Sequence, residues 1–436
     1  MLKSLKKSQR INQTMVKLKN QEIIAEFEKG PIRRSLYSNG AVSLFHHAKG
    51  YSGAVVQLHF IAGSIFEKPE EAGMAHLIEH LFFKENEGSL VKQLELGGAA
   101  VNAYTYKENV CFEMSCNAKK LPVLLKLFLQ KFFELNFTDE ELSKEKEIVI
   151  QEIREDLDDH ETQAIETLFA KNFAFDFGHQ VGGQVSKIKK FSRKQIEDYF
   201  HKFFTPERML LVVVSGKKNS HLENDFLTAM NHAYPAKAKK SFRLKAHKKS
   251  LPINHFKSKY NRKMENALIA FSFNGPSLNA NDYYNYVVLD DLLFEGLNSV
   301  FFKKLRVETP LIYGLGSSLN SFSRCGNFLM IFNTHKKNTK KVEDSCEEVF
   351  QNLKSEYVST SDLEFIKQRI IDSWELSFDD LEERAEFIAG SEIYKLTEYS
   401  TEHIKNKIMK VTPQSLRKTF NTIYDNGFSK LVYQPV

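Results

Sequence analysis

Eleven residues, Gly73-Met74-Ala75-His76-Leu77-Ile78-Glu79-His80-Leu81-Phe82-Phe83, set three ionisable side chains into otherwise apolar text. The stretch has no proline, and past Gly73 it contains only good or tolerable helix formers. His76 and His80 stand four apart, about one turn, so they share a face that Glu79 borders. Leu77, Ile78, Leu81 and Phe82 surround that patch, which predicts a buried helix. Imidazoles and a carboxylate are costly there without partners, so the fold must supply some.

A divalent metal is one such partner. Zinc takes neutral imidazole nitrogens, and a catalytic site keeps one of four positions for water. The pKa of that water falls to about 7, and a nearby carboxylate can take its proton. On this reading His76 and His80 are ligands and Glu79 is the general base. The plain alternative is a helix with two core histidines satisfied by hydrogen bonds.

At 436 residues the chain exceeds one ordinary domain. Aromatic content is 12%, with 36 Phe, so a large core is within reach and global disorder is excluded. The 61 basic and 55 acidic residues nearly balance, which gives no case for nucleic acid as a partner. Residues 1–20 carry Lys3, Lys6, Lys7, Arg10, Lys17 and Lys19 with no acid. They lack an apolar core, so they read as a solvated basic start rather than a secretory signal. No run of 18 apolar residues predicts a membrane span. Cys111, Cys116, Cys325 and Cys346 show no C-x-x-C spacing, and reduced thiols are expected. The expected location is cytoplasmic, with an organellar address left open.

In chain order, 33–48 and 51–64 read as paired strands. A short helix at 88–98 follows the first, and 99–106 and 109–115 form a second strand pair. Helices are expected over 121–136, 139–157, 160–180 and 192–204, then a buried strand over 209–214 and a helix over 221–233. Residues 236–263 read as a basic linker, because lysine recurs there with few aliphatics. The pattern then restarts: a strand at 267–273, helices at 283–293 and 299–307, strands at 313–321 and 325–333. Helices over 339–355, 361–378 and 380–397, a short helix from Thr412-Pro413 and a strand at 430–433 complete it. The same order in both halves suggests a duplicated α+β unit of about 200 residues.

The helix over 139–157 bears on the first. Thr138 followed by acids makes a good N-terminus. Glu145 and Glu152 are seven apart, two turns, and so share a face, which also carries Ile148 and Val149. Most helical glutamates reach water. Here a third metal ligand is missing, and a carboxylate beside an apolar stripe is the natural candidate.

The text from His76 to Phe83 resembles the zinc helix of the pitrilysin/insulinase family, whose H-x-x-E-H order is the inverzincin pattern. The similarity runs over most of the chain and is closest to half-length, processing-peptidase-like members. Glu145-Lys146-Glu147-Ile148-Val149-Ile150-Gln151-Glu152 matches the family's downstream Glu, six residues, Glu. The resemblance makes Glu152 the third ligand and Glu145 its supporting carboxylate. Gly97 to Thr105 is similar to the edge strand on which such enzymes lay substrate backbone, with Asn102 and Ala103 at its centre. Arg306 and Tyr313 look like the family's Arg–Tyr pair, for a substrate carbonyl or carboxylate and for the oxyanion. Phe294-Glu295-Gly296-Leu297-Asn298 is less glycine-rich than in many relatives, and the second half has no zinc motif, as is usual there.

The expected fold is thus α+β: two homologous domains in tandem, each a mainly antiparallel sheet packed against helices, making half a clamshell. The expected division is 1–20, a catalytic domain over 21–235, the linker 236–263 and a second domain over 264–436. The expected activity is zinc-dependent endopeptidase cleavage of peptides or unfolded segments, with one zinc per chain. Arg306 and Tyr313 are expected to act on a partner's zinc, in a homodimer or a heterodimer with a related chain. The rival is a structural subunit that has lost catalysis.

Overall fold

The computed structural model describes residues 15–27, 29–83, 90–219, 221–234, 238–396 and 400–436. Lys3, Lys6, Lys7 and Arg10 of the basic start lie outside them. Among the described residues the strands form two sheets. The first contains β1 (Leu18–Phe27), β2 (Gly30–Tyr37), β3 (Val42–His47), β4 (Gly53–Phe60), β5 (Ala100–Thr105), β6 (Val110–Asn117) and β7 (Met209–Ser215). Its spatial order is β1-β2-β3-β7-β4-β6-β5. The second contains β8 (Lys257–Arg262), β9 (Ala267–Asn274), β10 (Ile312–Ser321), β11 (Gly326–Thr334) and β12 (Phe428–Pro435), in the order β10-β11-β9-β12-β8.

The run β3-β7-β4-β6-β5 repeats as β8-β12-β9-β11-β10, pair by pair. β3–β7 and β8–β12 are parallel, and the other pairs are antiparallel in both runs. Two homologous α+β domains are therefore the architecture, as expected. Between β4 and β5 lie α1 (Met74–Phe83) and α2 (Leu90–Leu96). Then come α3 (Leu121–Phe132), α4 (Asp139–Asp158), α5 (His160–Asn172), α6 (Phe175–Gly178), α7 (Val185–Ile188) and α8 (Arg193–Phe203), with α9 (Leu222–Ala233) after β7. In the second half α10 (Tyr283–Phe294) and α11 (Val300–Phe302) take the place of α1, and α11 runs into a π-helical turn at Lys303–Glu308. Before β12 stand α12 (Thr339–Ser355), α13 (Thr360–Ser377), α14 (Leu381–Ile393), α15 (Thr401–Met409) and α16 (Pro413–Asp425).

β4 and β7 are near-continuous apolar runs because both faces of the first sheet are covered. Val56, Leu58, Phe60, Leu211 and Val213 face a core shared with α1, α3, α4, α8 and α9. Val55, Leu210, Val212 and Val214 face the other way, against Ala385, Ile388, Ala389 and Ile393 of α14. The second half thus supplies a helix to the first sheet. The exchange is reciprocal: Ala164, Leu168 and Phe169 of α5 pack on Leu268, Ala270, Leu431 and Tyr433 of the second sheet.

Several expectations change. Residues 33–48 are not one strand: the Ser38-Asn39-Gly40 turn divides β2 from β3. β3 does not pair with β4, because β7 enters between them. Lys257–Arg262 is a strand, not linker, and β1 begins inside the basic start. β8 is charged and half exposed, and β1 exposes Leu18 through Ile23, so neither shows an alternating apolar pattern. Helix over 160–180 breaks into α5 and α6, and α15 was not anticipated. Ile148 is exposed; the buried stripe of α4 is Leu142, Val149, Ile150 and Ile153. Among the described residues no helix is long and apolar enough to cross a membrane.

Candidate metal centre

α1 starts after Gly73, whose φ of +95° suits glycine. Its first turn is held by Glu67, from the preceding loop. Glu67 Oε2 accepts from the Gly73 N–H at 2.9 Å and Oε1 from the Ala75 N–H at 2.8 Å. His179 Nε2 lies 2.9 Å from Glu67 Oε2, and His179 Nδ1 lies 2.6 Å from the Phe175 carbonyl oxygen. A carbonyl only accepts, so Nδ1 carries a proton. Below, Phe82 packs on Phe112 of β6 at 4.7 Å, and Phe112 stacks on Phe132 of α3 at 4.6 Å. Met74, Ala75, Leu77, Ile78, Leu81 and Phe82 are buried, which leaves His76, Glu79 and His80 on the one open, half-buried face.

α4 brings the acids to that face. Thr138 caps it: its hydroxyl accepts from the Glu141 N–H, and Glu141 returns a bond to the Thr138 N–H. The buried stripe seats α4 against α1, with Glu145 and Glu152 beside it. His80 Nε2 lies 3.3 Å and His76 Nε2 3.9 Å from Glu152 Oε2. One donor atom each from His76, His80 and Glu152 falls within 4.8 Å of the others, and no other such group of His, Cys, Asp and Glu occurs among the described residues. Ligands of a tetrahedral zinc at about 2.0–2.2 Å stand about 3.4 Å apart, so this set fits a small divalent ion. Glu145 Oε2 lies 3.5 Å from His80 Nδ1, the far side of the ring, where a supporting carboxylate belongs.

The two imidazoles differ electrostatically. Burial, and then the charge of His80, pull His76 down to about 4, which keeps it neutral and ready to ligate. Burial also opposes charge on His80, but Glu145, Glu152 and Glu79 outweigh it and raise its pKa. Burial raises the Glu79 carboxyl against a hydrogen bond from Thr105, as suits a group that must take up a proton.

Glu79 reaches from α1 to the end of β5, where the Thr105 hydroxyl donates to its Oε2 at 2.5 Å. β5 is the last strand of the first sheet, with one side unpaired. Asn102 and Ala103 lie at its middle. The Asn102 Oδ1 accepts from the Ala103 N–H at 2.9 Å, and its Nδ2 donates to the Tyr104 hydroxyl at 2.7 Å. Arg306 and Tyr313 are elsewhere. Arg306 sits in the π-helical turn and donates to the carbonyls of Ile312 and Tyr313 at 2.6 and 3.0 Å. The Tyr313 side chain is exposed. Among the described residues no hydrogen bond or ion pair brings either to His76, Glu79, His80 or Glu152.

Sequence reading did not single out Thr105 by role, nor Glu67 and His179 at all. Thr105 was readable as inward-facing from the alternation of β5. Glu67 and His179 are 112 residues apart, and no spacing joins them.

The family described as insulinase (peptidase family M16) matches residues 44–180, and the peptidase M16 inactive domain matches residues 190–370. A Bacillus subtilis protein named uncharacterized zinc protease YmxG is 21% identical over 411 residues, covering 93% of this chain and 98% of its own length. Subunit 1 of the rat mitochondrial cytochrome b-c1 complex is 24% identical over 180 residues, 39% of this chain and 38% of its own. The crystal structure of a Helicobacter pylori protease superposes with a TM-score of 0.79 at 17% identity, over 96% of this chain and 100% of that one. With two adjoining family matches that together span well over half of its length, the chain belongs to peptidase family M16, the insulinase family, and fits its half-length members.

Proposed function

We propose that the protein is a zinc-dependent endopeptidase, with one zinc per chain, that hydrolyses peptides or unfolded polypeptide segments in a chamber between two chains. The reading is supported above all by three donors, His76, His80 and Glu152, converging beside Glu79 at the open edge of β5. Zinc, when bound, supplies a Lewis acid that lowers the pKa of a water to about 7 and polarises the scissile carbonyl. His76, His80 and Glu152 hold the ion, and Glu145 fixes the ring of His80. Glu79 takes the proton from the water and passes it to the leaving amine. Asn102 and Ala103 on β5 align the peptide through its main chain, which demands little of its sequence. Arg306 and Tyr313 act on the substrate bound at the partner's zinc, Arg306 on a carbonyl or carboxylate and Tyr313 on the developing oxyanion.

A second reading, a non-catalytic subunit of a peptidase-like assembly, is favoured by the similarity to a cytochrome b-c1 complex subunit. Metal content and turnover separate the two. Purified wild type is expected to carry about one zinc, lost in His80→Ala. Glu79→Gln is expected to keep its zinc and lose peptide cleavage by about 10²- to 10⁴-fold. Wild type without zinc, or cleavage indifferent to Glu79→Gln, would put the subunit reading first.

A further inference from the structure

The open edge of β5 has an uneven supply of donors. Tyr106 N–H donates inward to the Asn109 carbonyl, closing the turn to β6. Antiparallel pairing alternates, so Thr105, Ala103 and Val101 turn their N–H and C=O groups to the unpaired side. Their situations differ. The Ala103 N–H is held by a neighbouring side chain, Asn102, which can swing away without moving the backbone. The Thr105 N–H is turned to Glu79, and the Thr105 hydroxyl bonds the same carboxylate at 2.5 Å. A peptide pairing along β5 can therefore take the Ala103 N–H by displacing an amide. To take that of Thr105 it would have to displace a half-buried carboxylate.

We propose that Thr105 is a positioning residue, which fixes the Glu79 carboxylate at the point where a peptide docked on β5 stops pairing. The inference rests on the endopeptidase reading and adds that docking register and base position are set by one residue. Its hydroxyl holds Oε2 of the carboxylate on the β5 side of the site. A strand that pairs with Val101 and Ala103 presents its next peptide group beside Glu79. The base is thus aligned to a main-chain position rather than to a side chain, which suits an enzyme with little sequence demand.

The test compares zinc-loaded wild type, Thr105→Val, Thr105→Ser and Glu79→Gln. kcat and KM are read on a fluorogenic peptide. Zinc affinity is read by chelator competition. Binding of a phosphinic peptide, which mimics the tetrahedral state, is read by calorimetry. Thr105→Val is expected to lower kcat about 10- to 100-fold, as for a lost hydrogen bond to a charged group. KM and zinc affinity should stay within about threefold, because docking and ligands are untouched. The phosphinic peptide should weaken along with kcat, and Thr105→Ser should restore both. Should valine disturb the strand, Thr105→Ala removes the same hydroxyl with less bulk. A Thr105→Val enzyme with wild-type kcat, beside an inactive Glu79→Gln, overturns this inference alone. Loss that serine does not rescue, or zinc lost in step with activity, overturns it in favour of packing. Turnover surviving in Glu79→Gln overturns the endopeptidase reading itself.

Discussion

His59 lies in β4 with no exposed surface, its Nδ1 3.2 Å from Asn109 Oδ1 and its Nε2 3.2 Å from Gln57 Oε1. The Gln57 NH2 donates to Glu113 at 2.7 Å, so its oxygen accepts from His59 Nε2–H, and a turned Asn109 amide donates to Nδ1, which satisfies a neutral imidazole. Burial, the leading cause, pulls its pKa from 6.5 to about 4. The unfolded chain therefore takes up the proton first as pH falls. The contribution of this group to stability is complete above about pH 6.5 and is lost progressively toward about pH 4. Between pH 7 and pH 5 the loss is about 2 kcal/mol. His59→Gln cannot take up that proton, so urea unfolding should show a shallower acid limb for the variant. Equal limbs would mean that His59 takes up its proton at the same pH in the folded and unfolded chain.

Among the elements, the segment from α6 to α7 acts as a wedge at the start of α1. Gly183 has φ of +85°, and a Cβ there would stand 2.4 Å from the Ala72 carbonyl oxygen. Gly182 comes close to His76, with a Cβ position 3.9 Å from its Nδ1. Gly50 has φ of +101° but no atom within 4 Å of a Cβ. Gly183→Ala is therefore expected to cost about 3 kcal/mol, against about 1 kcal/mol for Gly50→Ala. Zinc affinity should fall only in the former, as read by chelator competition after chemical unfolding has ranked the two. The tie between α1 and β5 has a counterpart in the second half, where the Ser317 hydroxyl of β10 donates to Asp290 of α10. No histidine stands in α10, so there the same device only docks a helix on an edge strand.

At the scale of the whole molecule, the exchanged helices join the halves. Arg34 of β2 donates to both carboxylate oxygens of Glu392 in α14 at 3.0 Å, and Glu108 accepts from the Ser323 N–H at 3.0 Å. Among the described residues Arg306 bonds the carbonyls of Ile312 and Tyr313, in its own half, and its proposed role is at a partner's site. Mixing Glu79→Gln with Arg306→Ala chains is expected to recover about a quarter of wild-type activity per chain after full exchange, because one of two sites in each mixed dimer is whole. No recovery would place Arg306 outside catalysis, or in a dimer with a different chain. By itself the sequence determined which side chains gather at the candidate site, and the repeat. His76, Glu79, His80, Glu145 and Glu152 were legible because helical spacing fixes which side chains share a face. β7 was legible because two-sided burial leaves an apolar run, while β4 was read from an alternation that its burial on both faces does not show. β1 and β8 were not legible, since at a sheet edge the backbone pairs whatever the side chains are. Only the tertiary structure decided the entry of β7 between β3 and β4, the exchange of α5 and α14, and the tie from Thr105 to Glu79. Each joins residues through pairing or packing across the chain, and local periodicity carries no record of distant partners.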